Sequence, residues 1–243
     1  MALASQQRML EILVEAVDTL TEEFDLPGYL HRLSIRCVEL LPVEGAAVVL
    51  ITQHGELQLV ASSDEDTRLL ELAALQDARG PSSRCYLTGQ AQLNIELTST
   101  SIAQDSGPFA TRARGSDFVT VHTLPMKLRH QVVGSLNLFC SRPGPLIESD
   151  AQAGQGLSNM ATIAILQQRA LQQSHVEKVQ LQTALTSRVA IEQAKGILSE
   201  RHSLSLDDTF DSMRAYARPR HLRLTELAQR VIDDTLDPDF RLP

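Results

Sequence analysis

The sequence predicts an α+β protein in which an antiparallel sheet with flanking helices precedes a long connecting helix and an all-helical C-terminal module. Three observations carry this prediction. Strand-like stretches come in two neighbouring pairs, and apolar residues at helical spacing surround those pairs. No glycine or proline occurs in residues 157–195, which favours an uninterrupted helix there. The last block is helical throughout, so a mixed domain is followed by an all-α one.

Composition excludes several classes of protein. The 243 residues are 43% hydrophobic, enough for a packed core, and no apolar run reaches the roughly 18 residues of a membrane span. Three scattered cysteines are too few for a disulfide scaffold or a zinc site, so we expect reduced thiols in a cytoplasmic protein that holds no metal or cofactor. Arg8, Glu11 and Glu15 interrupt the apolar pattern of the N-terminus, which argues against a signal peptide.

Charge is unevenly distributed along the chain. The net charge of −8 argues against a protein that coats nucleic acid over its whole surface. Residues 178–230 nevertheless hold nine basic and six acidic side chains, a local charge of +3 that leaves −11 for the rest. This contrast fits two modules with different partners, and it equally fits an ordinary solvated helical surface.

The first third of the chain alternates between helical and strand patterns. Apolar residues at helical spacing predict a helix over 3–20 and a second one from about Pro27, a residue that suits the first turn of a helix. A buried strand over 46–52 and an alternating strand over 56–61 predict a hairpin. Helical spacing then returns over 64–78.

The pattern weakens over 80–115, where glycine, proline, serine and threonine predict short elements and loops. Two strands follow over 119–128 and 131–140, and a tight turn at Arg129-His130 joins them as a second hairpin. The sequence thus predicts helix, helix, hairpin, helix, loops and hairpin in this order, around an antiparallel sheet.

From about Glu148 the chain predicts one long helix or two abutting ones. With Leu157 at position a, the heptad seam holds both apolar and polar residues, which is an imperfect coiled-coil pattern over 146–186. Its middle lacks a clean apolar face, as is typical of a helix that bridges domains or meets a partner. We therefore expect a homodimer in which two such helices pair for part of their length. A solvated monomeric linker helix is the alternative.

The last block predicts three short helices and then an acidic tail at 237–243. The first helix covers 187–202, and Ser205 to Asp208 looks like a capping box that opens the second. Three short helices bury little surface alone, so we expect them to dock on the long helix or on a second subunit.

This block carries an ordered set of motifs. They read Arg188-Val-Ala-Ile-Glu-Gln-Ala-Lys195-Gly196, Ser205-Leu-Asp-Asp-Thr-Phe210, Met213-Arg-Ala-Tyr216-Ala-Arg218 and Arg223-Leu-Thr-Glu-Leu-Ala228. In order, spacing and residue types the set resembles the ANTAR domain over residues 180–236. The resemblance implies binding of paired RNA stem-loops in nascent transcripts and prevention of transcription termination. The sequence departs from the family pattern at Ser203, where glycine is usual, and at Thr209, where alanine is usual.

A second set of motifs lies earlier in the chain. It comprises Glu44-Gly-Ala-Ala-Val48, Gly80-Pro-Ser82 through Tyr86-Leu-Thr-Gly89, Leu124-Pro-Met-Lys-Leu-Arg129 and Val133-Gly-Ser-Leu-Asn-Leu-Phe139. This set resembles the GAF domain, a sensor module, over residues 25–142. The pattern of a phosphorylated receiver domain is lacking, so the resemblance implies an input by a ligand, a redox event or a partner.

Together the two resemblances imply a GAF-ANTAR protein with five segments. They are an N-terminal helix (1–24), a GAF-like sensor domain (25–142), a connecting helix with partial coiled coil (146–186), an ANTAR domain (180–236) and an acidic tail (237–243).

Seven residues of the C-terminal module are candidates for RNA contact. They are Arg188, Lys195, Arg201, Tyr216, Arg218, Arg220 and Arg223. Arginine suits this role because its planar fork binds phosphate and also stacks on unpaired bases. Arg188, Lys195 and Arg223 occupy family-motif positions, whereas Arg201, Arg218 and Arg220 rest more on local charge. Lys195 as a solvated helical lysine and Tyr216 as a core or interface residue are the alternatives.

The GAF resemblance also implies that a small ligand, whose identity the sequence does not give, sits between the sheet and the loops of 80–118. Cys85 lies in that segment and His122 on a predicted strand, so both are candidate sensor-pocket residues. An ordinary structural role is the alternative for each.

The sequence therefore predicts a signal-responsive, RNA-binding antitermination regulator that is not an enzyme, since it contains no nucleophile motif, phosphate loop or metal-spaced cluster. We expect its partners to be RNA stem-loops, a second copy of the chain and an unidentified small-molecule or protein effector, without a membrane. The alternative is a small-molecule or protein-interaction sensor whose helical tail docks a protein without nucleic acid. DNA binding is a third and less favoured hypothesis, because the final helices lack an obvious recognition helix.

Overall fold

The computed structural model describes residues 24–76, 80–97 and 108–236. The chain divides into two compact units, residues 1–171 and 172–243. The described strands are β1 (Gly45–Ile51), β2 (Leu57–Ser62), β3 (Gln92–Glu96), β4 (Thr120–Leu128) and β5 (Gln131–Cys140). The described α-helices are α1 (Leu26–Leu40), α2 (Glu65–Gln76), α3 (Pro81–Thr88), α4 (Pro108–Arg114), α5 (Glu148–His202), α6 (Leu206–Ala217) and α7 (Leu224–Ile232). The helix predicted over 3–20 and the tail predicted at 237–243 lie outside the described residues.

The first unit is built on a five-stranded antiparallel sheet in the order β2-β1-β5-β4-β3. Both predicted hairpins are present, because β1 pairs with β2 and β4 pairs with β5. The pairing of β1 with β5 joins the two hairpins, and there a Cβ on Gly134 would overlap the carbonyl oxygen of Val49. The sequence did not predict β3, a short and mostly exposed edge strand. The predicted α+β fold is confirmed.

Helices cover both faces of this sheet. On one face, α1 and the first part of α5 pack over the strands through a core that includes Leu30, Leu33, Leu124, Leu138, Leu157 and Ile165. On the other face, α2 and α4 build a second core that includes Leu70, Phe109, Phe118, Val121 and Phe139. The short helix α3 lies against β4 and β5.

α5 runs without interruption from Glu148 to His202, so the single long helix is the correct one of the two predicted alternatives. Its residues 157–165 contribute buried side chains to the first unit. Every side chain from residue 171 to residue 186 is exposed, including Leu181 at 72% and Leu185 at 64%. Within the described residues, no helix has the length and apolarity that a membrane crossing requires.

In the second unit, the end of α5 packs with α6 and α7 around a small apolar core. This core consists of Ala194, Leu198, Met213, Ala217, Leu227, Ala228 and Val231. The predicted cap of α6 is present, because the Asp208 N–H donates to Ser205 Oγ at 3.1 Å. Ser203 follows α5 with φ of +53°, a left-handed conformation that explains why glycine is usual at this position.

Candidate nucleic-acid interface and sensor core

The candidate RNA-contacting residues are distributed over all three helices of the second unit. Arg188, Lys195 and Arg201 lie on α5, and Tyr216 lies on α6. Arg218 and Arg220 belong to a 3-10 turn (Arg218–Arg220) that follows α6, and Arg223 is the N-cap residue of α7. Their surroundings divide them into residues held by intramolecular contacts and residues that remain exposed.

Lys195 is held by contacts between α5 and α6. Its side chain is only 12% exposed, and its Nζ donates to the carboxylate of Glu192 at 3.0 Å. The same ammonium lies 5.3 Å from the ring centroid of Phe210, and the Arg214 guanidinium lies 5.6 Å from that centroid. Lys195 is therefore not the solvated lysine of the alternative interpretation. Glu192 and the Phe210 ring therefore restrict the access of a phosphate to Nζ.

Tyr216 and Arg220 form a second intramolecular pair. The Arg220 guanidinium carbon lies 3.9 Å from the Tyr216 ring centroid, and its Nη1 donates to the Tyr216 carbonyl at 3.2 Å. The half-buried ring packs beside the apolar core of the second unit. Tyr216 therefore packs within the unit, and the Arg220 guanidinium covers one face of its ring.

Arg201 is paired more loosely. Its Nη1 donates to Asp234 Oδ1 at 2.8 Å, and both side chains are largely exposed to solvent. Exposed pairs of this kind contribute between about 0.2 and 1 kcal/mol, so the guanidinium can exchange its partner readily.

Three of the candidate arginines lack the intramolecular contacts just described. Arg188, Arg218 and Arg223 are exposed, and no salt bridge engages them within the described part of the chain. Arg188 lies on the side of α5 that faces away from a groove between α5 and α7, because the α5 residues that line this groove recur at positions 179, 183, 186 and 190. Arg223 comes two residues before Thr225, a residue of α7 in the groove lining.

The groove between α5 and α7 has a volume of about 430 Å³, and six of its eight lining residues have polar side chains. Its residues are Val179, Gln182, Thr183, Thr186, Ser187, Ala190, Thr225 and Gln229. The sequence analysis missed this groove, because hydroxyl and amide residues without a shared motif give no pattern until two helices bring them together.

In the first unit, the two predicted sensor residues do not share a pocket. Cys85 is buried in α3, against β4 and β5 on the face where Val121 and Phe139 pack. His122 follows Val121 on β4 and therefore points to the opposite face. Burial raises the pKa of the Cys85 thiol to about 12, so at neutral pH it is protonated and poorly nucleophilic.

A buried polar network occupies the face that Cys85 contacts. Ser82 Oγ donates to Glu71 Oε1 at 2.6 Å, and Asn137 Nδ2 donates to Ser82 Oγ at 2.8 Å. Burial raises the pKa of Glu71 from 4.5 to about 7, and the bonds from Ser82 and Asn137 partly oppose this rise. The network joins α2, α3 and β5.

Three further polar atoms on this face are buried without a hydrogen-bond partner in the described chain: Asn137 Oδ1, Thr123 Oγ1 and Ser135 Oγ. Thr123 lies directly opposite Asn137 in the β4–β5 ladder, and Ser135 lies two residues before it. Buried unpartnered polar atoms are rare in proteins, so this cluster marks a candidate ligand-binding face. A sequence signal existed, because these polar residues interrupt otherwise apolar strands. Among the described residues, no group of three or more metal-ligating side chains comes together.

Comparison with known proteins decides the nature of the second unit. Residues 179–232 match the family described as "ANTAR domain". The chain contains an ANTAR domain. Its bounds lie within the predicted 180–236 apart from one residue, and the predicted recognition is confirmed. No curated protein matches the chain.

The first unit has the fold of GAF domains. The GAF domain of a phosphoenolpyruvate-protein phosphotransferase from Coxiella burnetii matches with a TM-score of 0.51 and 17% identity, over 67% of this chain and 95% of that one. The corresponding GAF domain from Acinetobacter matches with a TM-score of 0.50 and 16% identity, over 67% of this chain and 95% of that one. The phycoerythrobilin-bound GAF domain of a cyanobacterial phytochrome matches with a TM-score of 0.50 and 15% identity, over 69% of this chain and 97% of that one. These similarities establish the fold of this unit. The chain therefore combines a unit with the GAF fold and an ANTAR domain.

Proposed function

We propose that this protein is an RNA-binding regulator whose ANTAR domain binds paired stem-loops in nascent transcripts and opposes termination, under the control of its GAF unit. The observation that carries the proposal is the surface of the ANTAR domain, which exposes Arg188, Arg218 and Arg223 and also contains the groove. Both domain types serve regulation and sensing, which supports a non-catalytic role.

The chemistry of this surface suits single-stranded RNA loops. Arg188, Arg218 and Arg223 are free to neutralise phosphates, and arginine does this with a bidentate fork. Gln182 and Thr225 in the groove offer amide and hydroxyl groups that can bond to the edges of splayed bases. Because phosphate contacts release counterions, we expect binding to weaken steeply with salt.

Dimerisation through α5 is the second part of the proposal. Leu181 and Leu185 are four residues apart on α5 and strongly exposed, so one helix face presents apolar surface that a second copy can cover. A dimer would present two ANTAR domains, and two stem-loops of one transcript would then bind with the gain of avidity. Sedimentation should give a dimer for the wild type and a monomer for a Leu181→Glu/Leu185→Glu variant.

One alternative has an observation in its favour. The net charge of −8 and the exposed apolar residues of α5 also suit a sensor whose helices dock a protein and never contact nucleic acid. Leu185 and Arg188 lie three residues apart on the same side of α5, whereas Arg218 and Arg223 lie outside this helix. We assign the leucines to self-association and the exposed arginines to RNA.

A binding panel separates these functions. The full chain is titrated into labelled paired hairpins, a single hairpin and duplex DNA, with fluorescence anisotropy as the readout. The proposal predicts tightest binding to the paired hairpins, weaker binding to one hairpin and weakest binding to DNA. Equal and salt-insensitive binding to all three, or none at all, would favour the protein-docking alternative.

A further inference from the structure

A cavity of about 470 Å³ lies on the α1 and α5 side of the sheet in the first unit. It is formed by the segment before β1, by β4, by the end of β5 and by the segment that leads into α5. Its apolar walls include Leu41, Val43, Cys140, Pro143, Pro145 and Leu146. This volume and this apolar lining are typical of sites for small molecules.

One polar atom is buried at this cavity without a partner. His122 lines the cavity and is 1% exposed, and its Nε2 has no hydrogen-bond partner in the described part of the chain. The other ring nitrogen, Nδ1, accepts the Asn94 N–H at 3.1 Å. Because Nδ1 is the acceptor, the proton of the neutral ring lies on Nε2, which is therefore a donor. Burial lowers the pKa of His122 to about 4, so the ring is neutral at physiological pH.

The contact with Asn94 also fixes the position of the ring. Asn94 has φ of +57° and sits at an irregularity in the pairing of β3 with β4, which turns its N–H towards His122. The imidazole is held from one side, and its remaining N–H is left for another acceptor.

The charges around the cavity disfavour an anionic occupant. Glu44, Arg142 and Asp150 are the charged residues in its lining, and together they carry a formal charge of −1. Glu44 is fixed in place, since its Oε2 accepts the Ser141 N–H at 2.9 Å. A carboxylate placed beside a neutral imidazole would lose its hydration without a buried cation in return, which is costly. A neutral carbonyl oxygen satisfies Nε2 without that cost.

We propose that this cavity binds a small, uncharged, mainly aliphatic molecule whose carbonyl oxygen accepts the His122 Nε2–H. The site lies on the sheet face opposite the Glu71 network, and its geometry does not depend on the proposed RNA function. Leu146, Ile147 and Asp150 line it and lead into or begin α5, so an occupant touches the start of the helix whose end belongs to the ANTAR domain.

Three probes with the same branched carbon chain test the proposal on the full chain: isocaproamide and isocaproate, which have a carbonyl group, and isohexylamine, which lacks it. The amide is neutral, and the other two carry a negative and a positive charge. Binding is followed by NMR through the ring nitrogen signals of His122. We expect the amide to bind and to shift Nε2 while Nδ1 changes little. The carboxylate should bind at least about tenfold more weakly, because its charge is desolvated.

Ile147→Trp supplies the matched variant, because this exposed residue lines the cavity and a larger side chain would fill it. Ile163→Trp is the control, because Ile163 is also an exposed isoleucine of the first unit but lies on α5 outside the cavity. The first should abolish the amide-induced shift, and the second should retain it. The proposal is overturned if no probe binds, if the carboxylate binds as well as the amide, or if Ile147→Trp leaves the His122 shift unchanged.

Discussion

Replacing Glu71 by glutamine should reveal a pH dependence of stability that the wild type conceals. Burial raises the pKa of Glu71 from 4.5 to about 7. Because the folded state holds this proton more tightly than the unfolded state, the contribution of Glu71 is fully present below pH 4.5 and is lost as the pH rises through 7. A shift of this size corresponds to about 3 kcal/mol.

The titration of His122 changes the stability with pH in the opposite direction. Burial lowers its pKa from 6.5 to about 4, so the folded state resists protonation of the ring. Stability from His122 is fully present above pH 6.5 and is lost as the pH falls through 4, again by about 3 kcal/mol. The two contributions largely cancel in the wild type, and the stability of the first unit should change little between pH 4.5 and 7.

The assay is urea unfolding of the full chain, with hydrogen exchange of β4 and β5 peptides to report on the first unit. Glu71→Gln keeps an acceptor for Ser82 but no longer titrates, so its stability should rise by about 2 to 3 kcal/mol between pH 4.5 and 7. Glu65→Gln, at an exposed position on the same helix, should keep the wild-type dependence on pH over this range, because the hydrogen bonds from Arg68 lower the pKa of Glu65. If the free energy of unfolding changed with pH in the same way in the wild type and in Glu71→Gln, the claim that Glu71 and His122 titrate with opposite effects would be refuted.

Other predictions concern single positions. Ser203→Gly should raise the free energy of unfolding of the second unit by about 1 kcal/mol in thermal denaturation, because it relieves the left-handed φ of +53°. Gly134→Ala should destabilise the first unit by several times as much or prevent folding, since its Cβ would overlap the Val49 carbonyl, and circular dichroism would detect this. The three cysteine thiols, all buried, should react with a thiol reagent only after denaturation; rapid reaction of the native chain would contradict their burial. Asp234→Asn should tighten RNA binding up to about fivefold by releasing Arg201, and weaker binding would contradict that competition.

Periodicity predicted most of the fold. The two hairpins and α5 could be read from the sequence, because burial on one or both sides leaves a regular apolar pattern. The edge strand β3 could not, because only two of its five residues are partly buried and its register is broken at Asn94. Its place is set by pairing with β4 and by the bond to His122, which are contacts across the fold.

The candidate sites were predicted only in part. The motif located the cationic helices, but it could not show that Lys195 is held by Glu192 and Phe210 or that Tyr216 stacks on Arg220. Nor could it show that Cys85 and His122 face opposite sides of the sheet. Such facts depend on how separate elements pack, and local sequence patterns do not encode them.

RNA affinity of an Arg188→Gln/Arg223→Gln variant tests the central claim most directly. Both arginines are exposed on the ANTAR domain, so their loss should leave the fold intact, as circular dichroism would confirm. The account predicts weaker binding to paired hairpins and a salt dependence reduced by about one counterion for each lost phosphate contact. Arg68→Gln, an exposed arginine of the GAF unit, should bind as the wild type. Unchanged affinity and salt slope in the double variant would contradict the claim that this surface binds RNA.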